Sequence, residues 1–247
     1  MKILVVDALQ YAQVAADAVV EHILYTHVPE VIGFATGTTT PPVYELLARR
    51  AADDRAVKKK IDALSVFNVD EYLGVASDNP GTCLSRMKDQ LYRHIDPKKV
   101  ICFRSDASDP EKDSLRVMEE IDMAGGLGLQ ILGIGGDGHI GFNDPDMPWE
   151  LETAVVSFSD SSRVGKAGFW GGVENVPKQG VTLGVKGIMN ARSLMLLARG
   201  ESKAEIVCAA LEGPVTTGVP ASVLQLHPFV TVVLDRAAAA GLKRRNS

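Results

Sequence analysis

Cysteine, aromatic side chains and positive charge are all in short supply in this 247-residue chain. The three cysteines, Cys83, Cys102 and Cys208, are odd in number and far apart, which excludes a disulfide framework and fits a reducing, cytoplasmic compartment. Lys and Arg number 26 against 31 Asp and Glu, a formal net charge of −5, whereas a surface for duplex nucleic acid needs basic patches. No apolar run is long enough to span a bilayer, and Met1-Lys-Ile-Leu-Val-Val-Asp7 is too short an apolar stretch for a signal peptide. Neither a Cys/His ligand spacing nor a dinucleotide glycine fingerprint is present, so no catalytic metal and no cofactor are expected. There is no compositional break or internal repeat, which points to a single domain over residues 1–247.

What is present is an alternation of strand-like and helix-like segments. Lys2 to Val6 and Val31 to Ala35 read as strands, and Ala8 to Tyr25 carries apolar residues at helical spacing between them. Ala63 to Asn68, Val100 to Phe103, Leu129 to Ile134, Val181 to Gly184, Ser193 to Ala198 and Phe229 to Leu234 are further strands, with helices over Asp109 to Ala124 and Glu201 to Leu211. The alternation predicts a doubly wound α/β fold with a mostly parallel sheet and helices on both faces. A closing helix is expected to end in Arg244-Arg245, a solvated basic tail. Residues 147–179, irregular in pattern and holding Trp149 and Trp170, are the candidate lid over the C-terminal strand ends.

Three segments carry chemistry. The strand ending at Ile134 opens into a glycine-rich loop holding Asp137 and His139, a spacing that suits a carboxylate orienting an imidazole. Thr36-Gly-Thr-Thr-Thr40 leads into a proline-started helix, where backbone N–H groups and threonine hydroxyls could cradle an anion or merely cap the helix. Asp70 and Glu71 follow a strand end, where ligands bind in open parallel sheets, and adjacent residues there point opposite ways, so at most one faces a site.

Taken together, Thr36-Gly37 with its threonines, Phe67-Asn-Val-Asp-Glu-Tyr-Leu-Gly74, Gly133-Ile-Gly-Gly-Asp-Gly-His-Ile-Gly-Phe-Asn143 and Gly180-Val-Thr-Leu-Gly-Val-Lys186 make the chain resemble the glucosamine-6-phosphate deaminase family. That family includes galactosamine-6-phosphate deaminases and is related to 6-phosphogluconolactonases. Gly200-Glu-Ser-Lys203 and Leu224-Gln-Leu-His227 extend the match. The resemblance implies isomerisation and deamination of an amino-sugar 6-phosphate, with glucosamine 6-phosphate first and galactosamine 6-phosphate second. It implies His139 as the acid at the ring oxygen, Asp137 orienting it, Asp70 as the base at C2, and Thr36, Gly37, Thr38, Thr39, Thr40 and Lys203 at the phosphate. A homo-oligomer is compatible with it.

Three departures stand out. Asp144 occupies the place of a glutamate behind the histidine, Thr38 that of a glycine in the phosphate loop, and Gly168 that of a phosphate-binding arginine, for which Lys166 or Lys203 would have to compensate. Ala154 and Val156 fall where allosteric members carry basic residues, so no such activation is expected. The alternatives are a lactonase-type hydrolase, disfavoured by Tyr72 and by Phe142-Asn143, and a sugar-phosphate sensor, disfavoured by the retained Asp-x-His pair.

Overall fold

The computed structural model describes residues 1–25 and 30–243, which leaves the Arg244-Arg245 tail outside the described residues. Among the described residues ten strands, β1 (Lys2–Val6), β2 (Val31–Phe34), β3 (Ser65–Asn68), β4 (Asp70–Leu73), β5 (Lys99–Ile101), β6 (Leu127–Gly133), β7 (Thr153–Ser157), β8 (Gln179–Leu183), β9 (Ser193–Ala198) and β10 (Val230–Asp235), form two sheets. The larger has seven strands in the order β1-β10-β9-β6-β2-β3-β5, and every neighbouring pair in it is parallel.

Its strands are apolar on both sides because both sides are covered. On β9, Leu194, Leu196 and Ala198 point to one layer, while Met195 and Leu197 point to the other. One layer packs against the helices Pro110–Met123, through Val117 and Ile121, and Ala204–Glu212, through Val207, Ala210 and Leu211. The other packs against Tyr11–Tyr25, Pro41–Asp53 and Arg55–Ile61. Each large aliphatic side chain so buried contributes about 2 kcal/mol, which is why β-branched and leucine residues dominate these strands. This is the doubly wound α/β arrangement.

The winding direction decides where a ligand can sit. From β2 the chain proceeds outward through β3 to β5, then returns after Pro110–Met123 to β6, immediately beside β2, and proceeds the other way through β9 and β10. Loops leaving β2 and β6 therefore diverge to opposite faces and open a crevice between them. The threonine loop follows β2, and the glycine loop follows β6.

The smaller sheet is antiparallel, with β8 between β4 and β7. Only its central strand, near Val181 to Gly184, is expected from the sequence, and the sheet corrects two expectations. Asp70 does not merely leave the third strand: after one intervening residue, Val69, it begins β4 in the other sheet. Residues 147–179 are not irregular throughout, because Thr153–Ser157 is a paired strand and Asp160–Lys166 a helix capped by the Ser159 hydroxyl. The part of this stretch left over the crevice is that helix and the turns after it. A third apolar cluster, Tyr72, Cys83, Phe142, Ala154, Val156, Phe158 and Val176, lies on this sheet, with Trp170 against it. Ala154 and Val156 are buried here, on β7.

The expected closing helix is also corrected. Residues 236–241 are a run of turns, tied back by Ala238 N–H to the Asp235 carboxylate (2.8 Å). No helix among the described residues is long and apolar enough to cross a membrane.

Candidate active site

A cavity of about 440 Å³ occupies the crevice. Its wall includes Thr36, Gly37, Thr38, Thr39 and Thr40 from the loop after β2, Asp70, the glycine loop from Gly133 through His139, and Lys203. Lys166 and Phe169 close it from the candidate lid. Residues spread from position 36 to position 203 thus meet at one switch point.

The glycine loop is shaped by contacts that only glycine permits. A Cβ at Gly135 would fall 2.2 Å from the His139 ring, and Gly138 takes a φ of +88°, which side chains resist. The Gly135 N–H donates to the His139 carbonyl (2.9 Å), folding the loop back on itself. Asn143, buried, donates through Nδ2 to the carbonyls of Ile140 and Leu183, both at 2.9 Å, so the loop's far end is fastened to the smaller sheet. On this frame His139 Nδ1 sits 2.6 Å from Asp137 Oδ1, which also accepts the His139 backbone N–H at 3.2 Å. The hydrogen bond from the imidazole holds the Asp137 carboxyl well below the usual carboxylate range. An ionised partner at Nδ1 fixes the tautomer and leaves Nε2 for chemistry.

Asp144 lies close by without a bond to the ring. Donor atoms of Asp137, His139 and Asp144 lie within 4.8 Å of one another, spacing that could hold a cation, while one Asp144 oxygen is buried without a partner. Asp144 does not line the cavity, in keeping with the shorter reach of aspartate.

Asp70 and Glu71 separate as strand geometry requires. Glu71 turns inward and accepts the backbone N–H groups of Tyr72 (2.7 Å), Cys83 (2.8 Å) and Leu84 (2.8 Å), which anchors the start of the helix Cys83–Met87. Asp70 faces the cavity. Burial pushes its pKa up to about 6, opposed by a hydrogen bond from the Cys83 thiol and by the charges of Arg86, Lys166 and His139. A carboxylate poised there is ionised at neutral pH and basic enough to take a proton.

In the threonine loop the capping role is not taken up: Thr40, at the start of Pro41–Asp53, makes no side-chain cap, and its hydroxyl bonds the Ala35 carbonyl instead. Thr36 donates to the Cys83 sulfur at 3.4 Å. Thr38 is exposed at the cavity wall.

The two lysines are engaged with protein groups. Lys166 Nζ bonds the Ser162 hydroxyl (2.7 Å) and lies 4.7 Å from the Phe158 ring centre, and Lys203 Nζ donates to the Ile134 carbonyl (2.8 Å). Burial lowers the Lys203 pKa, with Asp137 opposing. Sequence reasoning missed Tyr72, Arg86, Phe142, Ser162 and Phe169, which also line the cavity. Arg86 carries no motif of its own.

Residues 7–233 match the model of the glucosamine-6-phosphate isomerases/6-phosphogluconolactonase family. The chain belongs to that family. A glucosamine-6-phosphate deaminase of Thermoanaerobacter pseudethanolicus is 40% identical over 214 residues, 85% of this chain and 83% of that one. Glucosamine-6-phosphate deaminase 1 of Bacillus subtilis is 37% identical over 212 residues, covering 85% and 86%. Among solved structures, a monomeric glucosamine-6-phosphate deaminase of the NagB superfamily superposes with a TM-score of 0.89 at 34% identity, covering 98% of this chain and 100% of that one. The 6-phosphogluconolactonase of Trypanosoma brucei, at 23% identity and a TM-score of 0.75 over 98% of each chain, shares the fold.

Proposed function

We propose that this family member converts an amino-aldose 6-phosphate and water to a ketose 6-phosphate and ammonia, with glucosamine 6-phosphate as substrate. The observation that carries the reading is the convergence of an Asp137–His139 pair and a buried Asp70 on one cavity walled by five consecutive loop residues, Thr36 to Thr40. The relatives named above as glucosamine-6-phosphate deaminases support the substrate.

His139 donates a proton to the ring oxygen and opens the sugar. Asp70 removes the proton at C2 as the aldehyde oxygen takes one up to give an enolamine, and return of the C2 proton at C1, with one proton lost from nitrogen, leaves an imine at C2. Water adds to that carbon, the C–N bond breaks, and ammonia departs as the ketone forms. Each step is a proton transfer or a hydration, and each positioned acid or base contributes on the order of 10² to 10⁴ in rate. The threonine loop and the cations of the wall hold the phosphate, and the helix Asp160–Lys166 with the turns after it serves as the lid, excluding bulk water from the imine's carbon except for the one that reacts. Ala154 and Val156 offer no cation for an effector, so activity follows simple saturation.

A coupled assay for ammonia with glucosamine 6-phosphate and galactosamine 6-phosphate tests this directly. Glucosamine 6-phosphate is expected to give the higher kcat/KM, and no ammonia from either sugar sinks the proposal.

A further inference from the structure

One cation of the cavity wall, the Arg86 side chain, has no hydrogen-bond or ion-pair partner among the described residues. We infer that Arg86 binds the substrate's phosphate, acting as the anion clamp that neither lysine provides; the inference rests on the sugar-phosphate reading of this same cavity.

Arg86 lines the cavity together with the threonine loop. Its Cζ lies 3.7 Å from the centre of the Phe169 ring, so the guanidinium is seated on an aromatic face, and its N–H donors lie at the edge of the guanidinium plane. Nη2 is buried with no hydrogen-bond partner, and among the described residues no carboxylate forms a close ion pair with this arginine, although its charge reaches Asp70. An unsatisfied buried N–H is costly to keep, and an anion in the cavity is the group that would satisfy it.

The helix that carries Arg86 is tied at its N-terminus. Glu71 holds its first N–H groups, and Thr82 caps it through Ser85 N–H at 3.1 Å. Arg86 stands three residues after Cys83, which places the two on one helix face, and Cys83 takes the Thr36 hydroxyl. The guanidinium is therefore held at the flank of the phosphate loop. The lysines are committed to Ser162 and to the Ile134 carbonyl, and residue 168 has no side chain to offer. A phosphate needs a bidentate partner more than another point charge, and only arginine has that fork.

The test measures kcat and KM for glucosamine 6-phosphate, and the dissociation constant of inorganic phosphate by calorimetry, in the wild type, Arg86→Ala and Arg86→Lys. Loss of the clamp in Arg86→Ala is expected to raise KM and the phosphate dissociation constant by about tenfold or more while kcat stays within about threefold, with Arg86→Lys between. Should the alanine variant fail to fold, Arg86→Gln keeps a flat group on Phe169 and decides the matter by the same readouts. An unchanged phosphate dissociation constant overturns the inference, as does a loss confined to kcat, which would make Arg86 a partner of Asp70. If the wild type releases no ammonia yet Arg86→Ala still loses phosphate, the clamp stands and the proposed reaction falls.

Discussion

Two side chains set what the site can do, and each is constrained by a neighbour. Asp70 is held at about 6 by burial, against the ordinary 3.8 of an aspartate. Because the folded value is raised, the stability linked to this group is full below the unfolded value and is lost as pH rises through 6. Keeping Asp70 ionised above that point costs about 3 kcal/mol. Asp70→Asn is therefore expected to abolish turnover while raising the melting temperature by on the order of 5 °C near pH 8, with the gain shrinking toward pH 4. Melting curves at the two pH values check it; an equal gain at both would remove the linkage. In the wild type, kcat/KM should rise along an acid limb with an apparent pKa of about 6, read from the pH profile. Gly135 constrains the other half. Gly135→Ala puts a methyl into the His139 ring, so kcat should fall about 10²-fold or more while calorimetric phosphate binding holds, since the threonine loop is untouched.

At the level of elements, the smaller sheet and its aromatic cluster support the candidate lid. Tyr72 stacks edge-on with Trp170 (5.0 Å) and Phe158 (5.8 Å), and Phe142 with Phe158 (4.9 Å), joining β4, the glycine loop and the segment after β7. Phe158→Ala should cost roughly 3 kcal/mol, shift tryptophan emission to the red as Trp170 becomes wetter, and raise KM as Lys166 loses its ring. Unshifted emission with an unchanged KM would show that the cluster does not hold the lid. These elements were also the least legible in the sequence. The β3–β4 step is hidden because a single residue separates the strands, and Asp70-Glu71 looks like a loop until the Glu71 carboxylate is seen capping a distant helix. Thr153 to Ser157 has strand chemistry, yet glycines and tryptophans on either side masked it. Four alanines at 237–240 read as helix, but the Asp235 carboxylate takes the Ala238 N–H together with that of the distant Gly200, and the chain turns. By contrast, the parallel strands, buried on both faces, announced themselves by composition, and the glycine and threonine loops by residue types that have few other uses.

For the molecule as a whole, the seam between β2 and β6 is where fold and site are the same thing. Gly33 on β2 lies against the buried Gln130 side chain of β6, and a Cβ there would stand 1.9 Å from its Oε1. Gly33→Val should therefore force the two strands apart, cost about 3 kcal/mol, and weaken phosphate binding and kcat together, because the two loops start from the two strands. Thermal melts and steady-state kinetics on one preparation test it; a stable variant with normal kinetics would show that the seam yields without disturbing the site. Arg86 was invisible at this scale too, since its role depends on where a separate helix comes to rest beside the seam.

The pairing of β1 with β10 has a consequence for how the protein is made. Lys2 aligns with Thr231 and Val6 with Asp235, so β1 is made long before the strand it pairs with. Until then β1 has no strand paired to it on either side, and the crevice beside β6 lacks the β9–β10 half of the sheet. Local helices can form during synthesis, but this long-range closure waits for β9 and β10, which makes it the slow, aggregation-exposed step of folding.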